Sequence, residues 1–194
     1  MLLYTDASIL MNGQPGAHAG WAMVGLRHGH PPLRYARPFR HQFAIEHSCV
    51  AELMAVANAL AYVAKHAPFE PGEIVVLHSD SQAAVETING VGGHAKPGTP
   101  GLHPDSVRSR RAVSRAKMLL AYDGVRTLVD RYGIVLQAHW IKGHAKIRAD
   151  CPHQPHNRWC DRESRKAAKT AGIKRAAAAK RAEQTSRPEA GAKL

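Results

Sequence analysis

The sequence predicts an α/β protein in which helices pack on one mixed five-stranded sheet. Three apolar segments joined by short turns open the chain, and this arrangement indicates an antiparallel meander. Two further apolar segments follow, each after a stretch with helical periodicity, so that helices connect the later strands. A chain of 194 residues with 44% hydrophobic content is long enough for one domain with a sizeable core.

The first half of the chain contains the meander and one long helix. The expected strands cover residues 1–8, 19–27 and 33–39. The turns between them are rich in glycine and proline. A helix is predicted from about Ser48 to His66, because aliphatic residues recur three or four positions apart along one face. Pro68 and Pro71 end this helix.

The second half alternates strands with helices. The predicted elements are a strand over 73–79, a short helix over 81–89, a long helix over 106–132, a strand over 134–141 and a helix from about 156. The C-terminal segment is rich in Ala and Lys and has few large apolar residues that could pack. We therefore divide the chain into a domain of residues 1–172 and a basic, partly disordered tail of residues 173–194.

The chain is strongly basic, with a formal net charge of +12 and a pI of about 10.1. From Arg162 to Leu194 there are ten Lys and Arg residues against three Glu. A charge of this size favours an anionic partner, either nucleic acid or an acidic membrane surface. A solvated basic surface without a partner is the plainer alternative.

The cysteine content and the N-terminus indicate a reduced, cytoplasmic protein. Three cysteines do not form a paired disulfide framework. The chain begins directly with a predicted strand rather than a signal peptide. We also expect no membrane partner, because we find no apolar run approaching the roughly 20 residues of a membrane span.

Four carboxylates stand in separate motifs along the chain: Asp6, Glu52, Asp80 and Asp161. Asp6 and Asp80 are expected at the ends of apolar strands, Glu52 in the first turn of a helix, and Asp161 near the start of the last helix. If folding brings them together, their repulsion requires divalent cations. A cluster made only of carboxylates favours hard ions such as Mg²⁺ or Mn²⁺, which commonly serve phosphoryl transfer. A solvated acid, or an N-cap in the case of Asp80, is the alternative for each residue alone.

The motifs around these acids resemble type 1 ribonuclease H. They are Thr5-Asp6-Ala7-Ser8, Ala51-Glu52-Leu53-Met54, Ser79-Asp80-Ser81-Gln82, Lys142-Gly143-His144 and Asn157-Arg158-Trp159-Cys160-Asp161. The resemblance covers roughly residues 1–170 and implies a ribonuclease H-like fold. It further implies a monomeric endonuclease that hydrolyses the RNA strand of RNA/DNA hybrids with two divalent cations, leaving 3′-hydroxyl and 5′-phosphate ends.

The same resemblance assigns roles to individual residues. Asp6, Glu52, Asp80 and Asp161 are implied ligands of two Mg²⁺ ions, with Mn²⁺ as a substitute. His144 is implied to assist proton transfer or product release, a role that suits the pKa of histidine. The implied substrate-binding residues are Asn12, Ser48, Gln82, Asn157, Arg108, Arg110 and Arg111. The arginines would grip the backbone of the DNA strand, and Asn12 would also contact the nucleic-acid backbone. Gln82 would face the minor groove and Ser48 would contact the substrate, whereas Asn157 matches the family pattern with loop orientation as the alternative role.

The sequence also departs from the family pattern. Ala7 replaces the glycine that usually follows the first Asp, and the segment between His144 and Asp161 is longer than in the bacterial form. This longer segment contains Cys151, His153 and His156 just before Cys160, so zinc binding stays open as a minor alternative. Two other functions also stay open: a hybrid-binding protein that has lost nuclease activity, and a DNA nuclease or resolvase with the same fold.

Overall fold

A computed structural model describes residues 1–11, 17–40, 48–90, 109–143 and 152–186. Residues 109–115 and 183–186 are described by their backbone only. The strands are β1 Leu2–Leu10, β2 His18–Leu26, β3 Leu33–Pro38, β4 Ile74–Ser79 and β5 Val135–Trp140. The helices are α1 Ser48–His66, α2 Gln82–Asn89, α3 Ser109–Tyr132 and α4 Gln154–Ser186. The order of strands and helices agrees with the prediction.

The five strands form one mixed sheet in the order β3-β2-β1-β4-β5. The first three strands pair antiparallel, whereas β4 runs parallel to both β1 and β5. This confirms the predicted α/β class and the mixed five-stranded sheet. The pairing of β1 with β4 ends at Tyr4 and His78, although β1 continues along β2 as far as Leu10. A cleft therefore opens between β1 and β4 beyond this point.

The two faces of the sheet are covered by different helices. On one face, α1 and the second half of α3 pack on a core that includes Leu3, Leu60, Val75 and Leu77. On the other face, α4 packs on β1 and β2. Gly20 lets α4 approach closely, because a Cβ at this position would collide with the backbone of Ala168.

Helix α1 contradicts the expectation that no apolar segment has the length of a membrane span. By length and composition alone, Ser48–His66 passes that test. Half of this segment is buried inside the protein, where residues such as Val56, Leu60 and Val63 form the core. Its apolar character is thus that of a core helix between the sheet and α3.

The position of Asp6 differs from the prediction. Asp6 lies inside β1 rather than at its end, because β1 continues along β2 after β4 has diverged. Helix α4 continues into the Ala- and Lys-rich segment, in line with the helix propensity of these residues. Residues 173–182 of this helix are exposed, with Ile173 71% exposed, as expected for a segment without apolar residues that pack.

Candidate active site

The register of two parallel strands brings Asp6 and Asp80 together. Tyr4 and His78 form the last pair between β1 and β4. Asp6 and Asp80 each follow two residues later, so both acids lie where the pairing ends and the cleft begins. Because side chains alternate along a strand, Asp6 lies on the same face of β1 as Tyr4. That face is the one covered by α4.

Glu52 reaches the same point from α1. It lies in the second turn of this helix, not in the first turn as expected, and its side chain is buried. The backbone N–H of Ala7 donates a hydrogen bond to its carboxylate. Asp6, Glu52 and Asp80 each offer one carboxylate oxygen, and these three oxygens lie within 4.8 Å of one another. The structure thus brings together three of the four predicted acidic residues.

Asp161 lies on α4 and lines the same cleft, which has a volume of about 410 Å³. Its Oδ1 forms a salt bridge with Nε of Arg165 at 2.9 Å, one helical turn further along α4. Asp161 therefore lines the cleft beside the group formed by Asp6, Glu52 and Asp80, and the guanidinium of Arg165 lines the cleft next to Asp161.

The carboxylates destabilise one another's charged forms. Burial raises the pKa of Asp6 to about 7; a hydrogen bond from Ser164 lowers it, and the charges of Asp80 and Asp161 raise it. Burial and the charges of Asp6 and Asp80 raise the pKa of Glu52 well above its ordinary value. Oε2 of Glu52 is buried without a hydrogen-bond partner among the described residues. A divalent cation would neutralise these charges and would be coordinated by the unsatisfied oxygen of Glu52. A donor set made only of oxygens suits Mg²⁺ or Mn²⁺.

Asp80 is not a helix cap. Ser81 is the N-cap of α2, and its Oγ accepts a hydrogen bond from the backbone N–H of Ala84 at 3.4 Å. Gly143 packs directly against Asp80, because a Cβ at this glycine would collide with Oδ2 of Asp80. Nε1 of Trp140 also donates to the backbone oxygen of Asp80 at 3.1 Å. The segment after β5 therefore encloses Asp80 and leaves no room for a side chain at residue 143.

Ser164 is a site residue that the sequence motifs do not indicate. It is fully buried on α4, and its hydroxyl donates to Oδ2 of Asp6. The sequence could have indicated Ser164 through the spacing of the buried residues of α4. Asn157, Cys160, Ser164, Ala168 and Ala171 recur three or four positions apart and are all buried.

The predicted substrate-binding residues fall in different environments. Ser48 and Gln82 are exposed first residues of α1 and α2, and Gln82 donates to Oε1 of Glu86 at 2.7 Å. Asn157 is 5% exposed, and its Oδ1 has no hydrogen-bond partner among the described residues. The structure describes only the backbone of Arg110 and Arg111, whereas Asn12, Arg108 and His144 lie outside the described residues.

The zinc alternative finds no support among the described residues. Cys160 is buried in the core, where its Sγ lies 3.7 Å from the backbone oxygen of Tyr4. His153 uses Nδ1 in a 2.8 Å hydrogen bond with the hydroxyl of Tyr4. Within the described ranges, only the carboxylates of Asp6, Glu52 and Asp80 form a group of three potential metal ligands close to one another. Cys151 lies outside the described ranges.

The fold and the acidic centre define a protein of the ribonuclease H-like class. The sequence model of the RNase H family matches residues 1–169, so the chain belongs to the RNase H family. This match, together with type 1 enzymes among the similar structures, confirms the predicted resemblance to type 1 ribonuclease H. Membership of this family supports the prediction that the protein is a nuclease.

Three solved structures illustrate the likeness of the fold. The N-terminal RNase H domain of Rv2228c from Mycobacterium tuberculosis, solved as a fusion with maltose-binding protein, has a TM-score of 0.55 and 16% identity, and the match covers 89% of this chain and 97% of that one. RNase H1 from the halophilic archaeon Halobacterium salinarum has a TM-score of 0.54 and 16% identity, with coverage of 88% and 98%. LC11-RNase H1, solved in complex with an RNA/DNA hybrid, has a TM-score of 0.55 and 16% identity, with coverage of 88% and 97%. No curated protein matches the sequence.

Proposed function

We propose that this protein is an endonuclease that hydrolyses the RNA strand of RNA/DNA hybrids with divalent cations. The observation that carries the proposal is the convergence of Asp6, Glu52 and Asp80, with oxygens within 4.8 Å of one another. Two of these acids are buried, and their charged forms are unstable in the absence of a cation. Buried acids that repel one another are better explained by a metal site than by a purely structural role.

The chain's own residues would hold two cations in the cleft. Asp6 would be shared by both ions, Glu52 and Asp80 would hold one of them, and Asp161 would complete the other. Ions held there would supply Lewis-acid activation of the attacking water and charge stabilisation at the leaving 3′-oxygen, and the products would carry 3′-hydroxyl and 5′-phosphate ends. Mg²⁺ is the proposed ion, with Mn²⁺ as a substitute.

Polar residues beside the acids supply recognition in this proposal. Ser48 lies one helical turn before Glu52, and Gln82 lies two residues after Asp80, and both are exposed. Hydroxyl and amide groups in such positions would contact the 2′-hydroxyls and base edges in the wide minor groove of a hybrid. The likeness to LC11-RNase H1, which was solved with an RNA/DNA hybrid, supports this substrate.

The remaining predicted residues keep proposed roles. His144 would assist proton transfer or product release, and Asn12 and Asn157 would contact the substrate or orient its binding loop. Arg108, Arg110 and Arg111 would neutralise backbone phosphates, so that binding weakens as salt rises. We further propose a cytoplasmic monomer.

The test compares one labelled RNA strand in three forms: annealed to DNA, annealed to RNA, and single-stranded. Each form is incubated with the protein and Mg²⁺, and again with a chelator. We expect cleavage of the hybrid alone, only with Mg²⁺, and products that carry 5′-phosphates. Salt-sensitive retention of the hybrid without cleavage would favour a hybrid-binding protein. Cleavage of branched or duplex DNA in place of the hybrid would favour a resolvase or another DNA nuclease.

A further inference from the structure

Ser164 connects α4 to the acidic cluster through a buried hydroxyl. The residue is 0% exposed and lies three positions after Asp161. Its Oγ contacts Oδ2 of Asp6 on β1. The same Oγ atom of Ser164 lies 3.1 Å from Oγ of Ser8 and 3.0 Å from the backbone oxygen of Asp161. One hydroxyl therefore contacts the strand and the helix that carry two of the proposed metal ligands.

The distribution of protons around this hydroxyl can be assigned from charge. Ser164 has one proton, and the Asp6 carboxylate is a stronger acceptor than the backbone oxygen of Asp161. The hydroxyl of Ser8 can then donate to Oγ of Ser164. A serine inside a helix ordinarily bonds to its own helix or faces solvent. At Ser164 the hydroxyl instead bonds to a carboxylate on a neighbouring strand.

We propose that Ser164 is a positioning residue for the metal site, an inference that rests on the proposed function. Its hydrogen bond fixes the plane of the Asp6 carboxylate, which the charges of Asp80 and Asp161 would otherwise repel. It also fixes α4 against β1, and hence the position of Asp161 relative to Asp6. Hydrogen bonds to a ligating carboxylate hold that ligand in the orientation that the metal requires, and their loss typically weakens metal affinity by about 10–100-fold.

The test measures Mn²⁺ binding directly from the electron paramagnetic resonance signal of free Mn²⁺. Four proteins are compared: the unaltered chain, Ser164→Ala, Thr87→Val and Asp6→Asn. Thr87 is the matched control, because it is a fully buried helix residue whose hydroxyl donates to a backbone oxygen of its own helix, Ala83, at 2.7 Å. We expect Ser164→Ala to weaken Mn²⁺ binding about 10-fold or more, and Thr87→Val to leave it unchanged.

A second variant and a kinetic measurement exclude a general loss of structure. Ser164→Cys keeps the volume and a weak donor, so its Mn²⁺ affinity should lie between those of the serine and alanine forms. In hybrid cleavage, Ser164→Ala should need more Mn²⁺ to reach half-maximal rate, and excess Mn²⁺ should restore much of the rate. A rate that excess Mn²⁺ does not restore would contradict a positioning role.

The outcomes separate this inference from the proposed function. Unchanged Mn²⁺ affinity in Ser164→Ala, or an equal loss in Thr87→Val, would overturn the role of Ser164. If Asp6→Asn bound Mn²⁺ as the unaltered chain does, the acidic cluster would not be the metal site and the proposed function would lose its basis. Loss of binding in Asp6→Asn with no effect of Ser164→Ala would overturn the role of Ser164 alone.

Discussion

Two polar rows lie next to each other on the α4 face of the sheet, and they are stabilised in opposite ways. The first row is Tyr4, His78 and His139, which are paired positions on β1, β4 and β5. The second row, two residues further along β1 and β4, is Asp6 and Asp80. The first row consists of rings that contact one another, and the second consists of carboxylates that repel one another.

The aromatic row is stabilised by stacking between uncharged groups. The ring of His78 stacks on Tyr4 with centroids 5.0 Å apart and on His153 with centroids 4.2 Å apart. Burial and the nearby His153 and His139 lower the pKa of His78 to about 4. Nδ1 of His78 is buried without a hydrogen-bond partner in the described part of the chain, which also favours the neutral ring.

The acidic row has the opposite electrostatic character. Asp6 in this row and Glu52, which reaches it from α1, have raised pKa values because burial and neighbouring carboxylates destabilise the charged forms. In the proposed function, a divalent cation would supply the charge that neutralises these carboxylates. The comparison teaches that positions two residues apart on the same strands can differ sharply: uncharged stacked rings occupy one row, and carboxylates suited to a cation occupy the next.

The largest expected difference between the rows is in catalysis. Asp6→Asn removes a ligand charge and should reduce hybrid cleavage by about a thousand-fold, since metal ions supply several kcal/mol of transition-state stabilisation. Tyr4→Phe, at the preceding position on the same face of β1, should leave the rate within about two-fold, because it removes no ligand. The measurement is the initial cleavage rate in Mg²⁺. Comparable rates for Asp6→Asn and Tyr4→Phe would abolish the functional distinction between the rows.

The second expected difference is the sign of the pH dependence of stability in metal-free buffer. The pKa of Asp6 is raised from 3.8 to about 7, so the native state binds the extra proton and its stability falls as pH rises through this range. The pKa of His78 is lowered from 6.5 to about 4, so the unfolded state binds the extra proton and stability falls as pH drops through this range.

Single variants separate these opposing contributions. Relative to the unaltered chain, Asp6→Asn should make the free energy of unfolding rise more steeply between pH 4 and 6.5. His78→Phe should make it fall more steeply between pH 4 and 6.5, the range in which His78 titrates. Each change in slope is at most about 1.4 kcal/mol per pH unit for one proton. Urea unfolding at several pH values measures the slopes, and equal slopes in the two variants would show that the rows do not differ in this way.

The smallest expected effect concerns the hydrogen bond within the aromatic row. The hydroxyl of Tyr4 bonds to Nδ1 of His153 at 2.8 Å and ties the start of α4 to β1. Tyr4→Phe should lower the free energy of unfolding by about 1 kcal/mol, the usual contribution of one such bond. Urea unfolding at pH 8 checks this value. A gain in stability would mean that stacking, without the hydrogen bond, holds the row.

The sequence predicted the class of the fold and the acidic residues because both depend on local patterns. Apolar segments bounded by turns located all five strands, apolar residues at helical spacing located α1, and the separate acidic motifs identified Asp6, Glu52, Asp80 and Asp161. The place of Asp6 within β1 was not predictable in the same way. It depends on β1 pairing with β2 beyond the point where β4 diverges, which is a tertiary property.

Ser164 and the aromatic row show the limit of motif reasoning more clearly. Ser164 acts on a residue 158 positions away in the chain, and its only local signal is a place on the buried side of α4. His78 and His153 belong to one stack only because α4 begins over β1 and β4. Contacts of this kind arise from packing between distant segments, and composition or spacing within one segment does not encode them.

The most direct test of the central claim is the melting temperature at pH 8 with a chelator and with Mg²⁺, for the unaltered chain and for Asp6→Asn. Without metal, Asp6→Asn should melt about 2–4 °C higher, because removing about 1 kcal/mol of repulsion shifts a chain of this size by that amount. Mg²⁺ should raise the melting temperature of the unaltered chain and have little effect on Asp6→Asn. A metal-free Asp6→Asn protein that melts lower, or an unaltered chain that Mg²⁺ does not stabilise, would contradict the claim that the acidic row is a cation site.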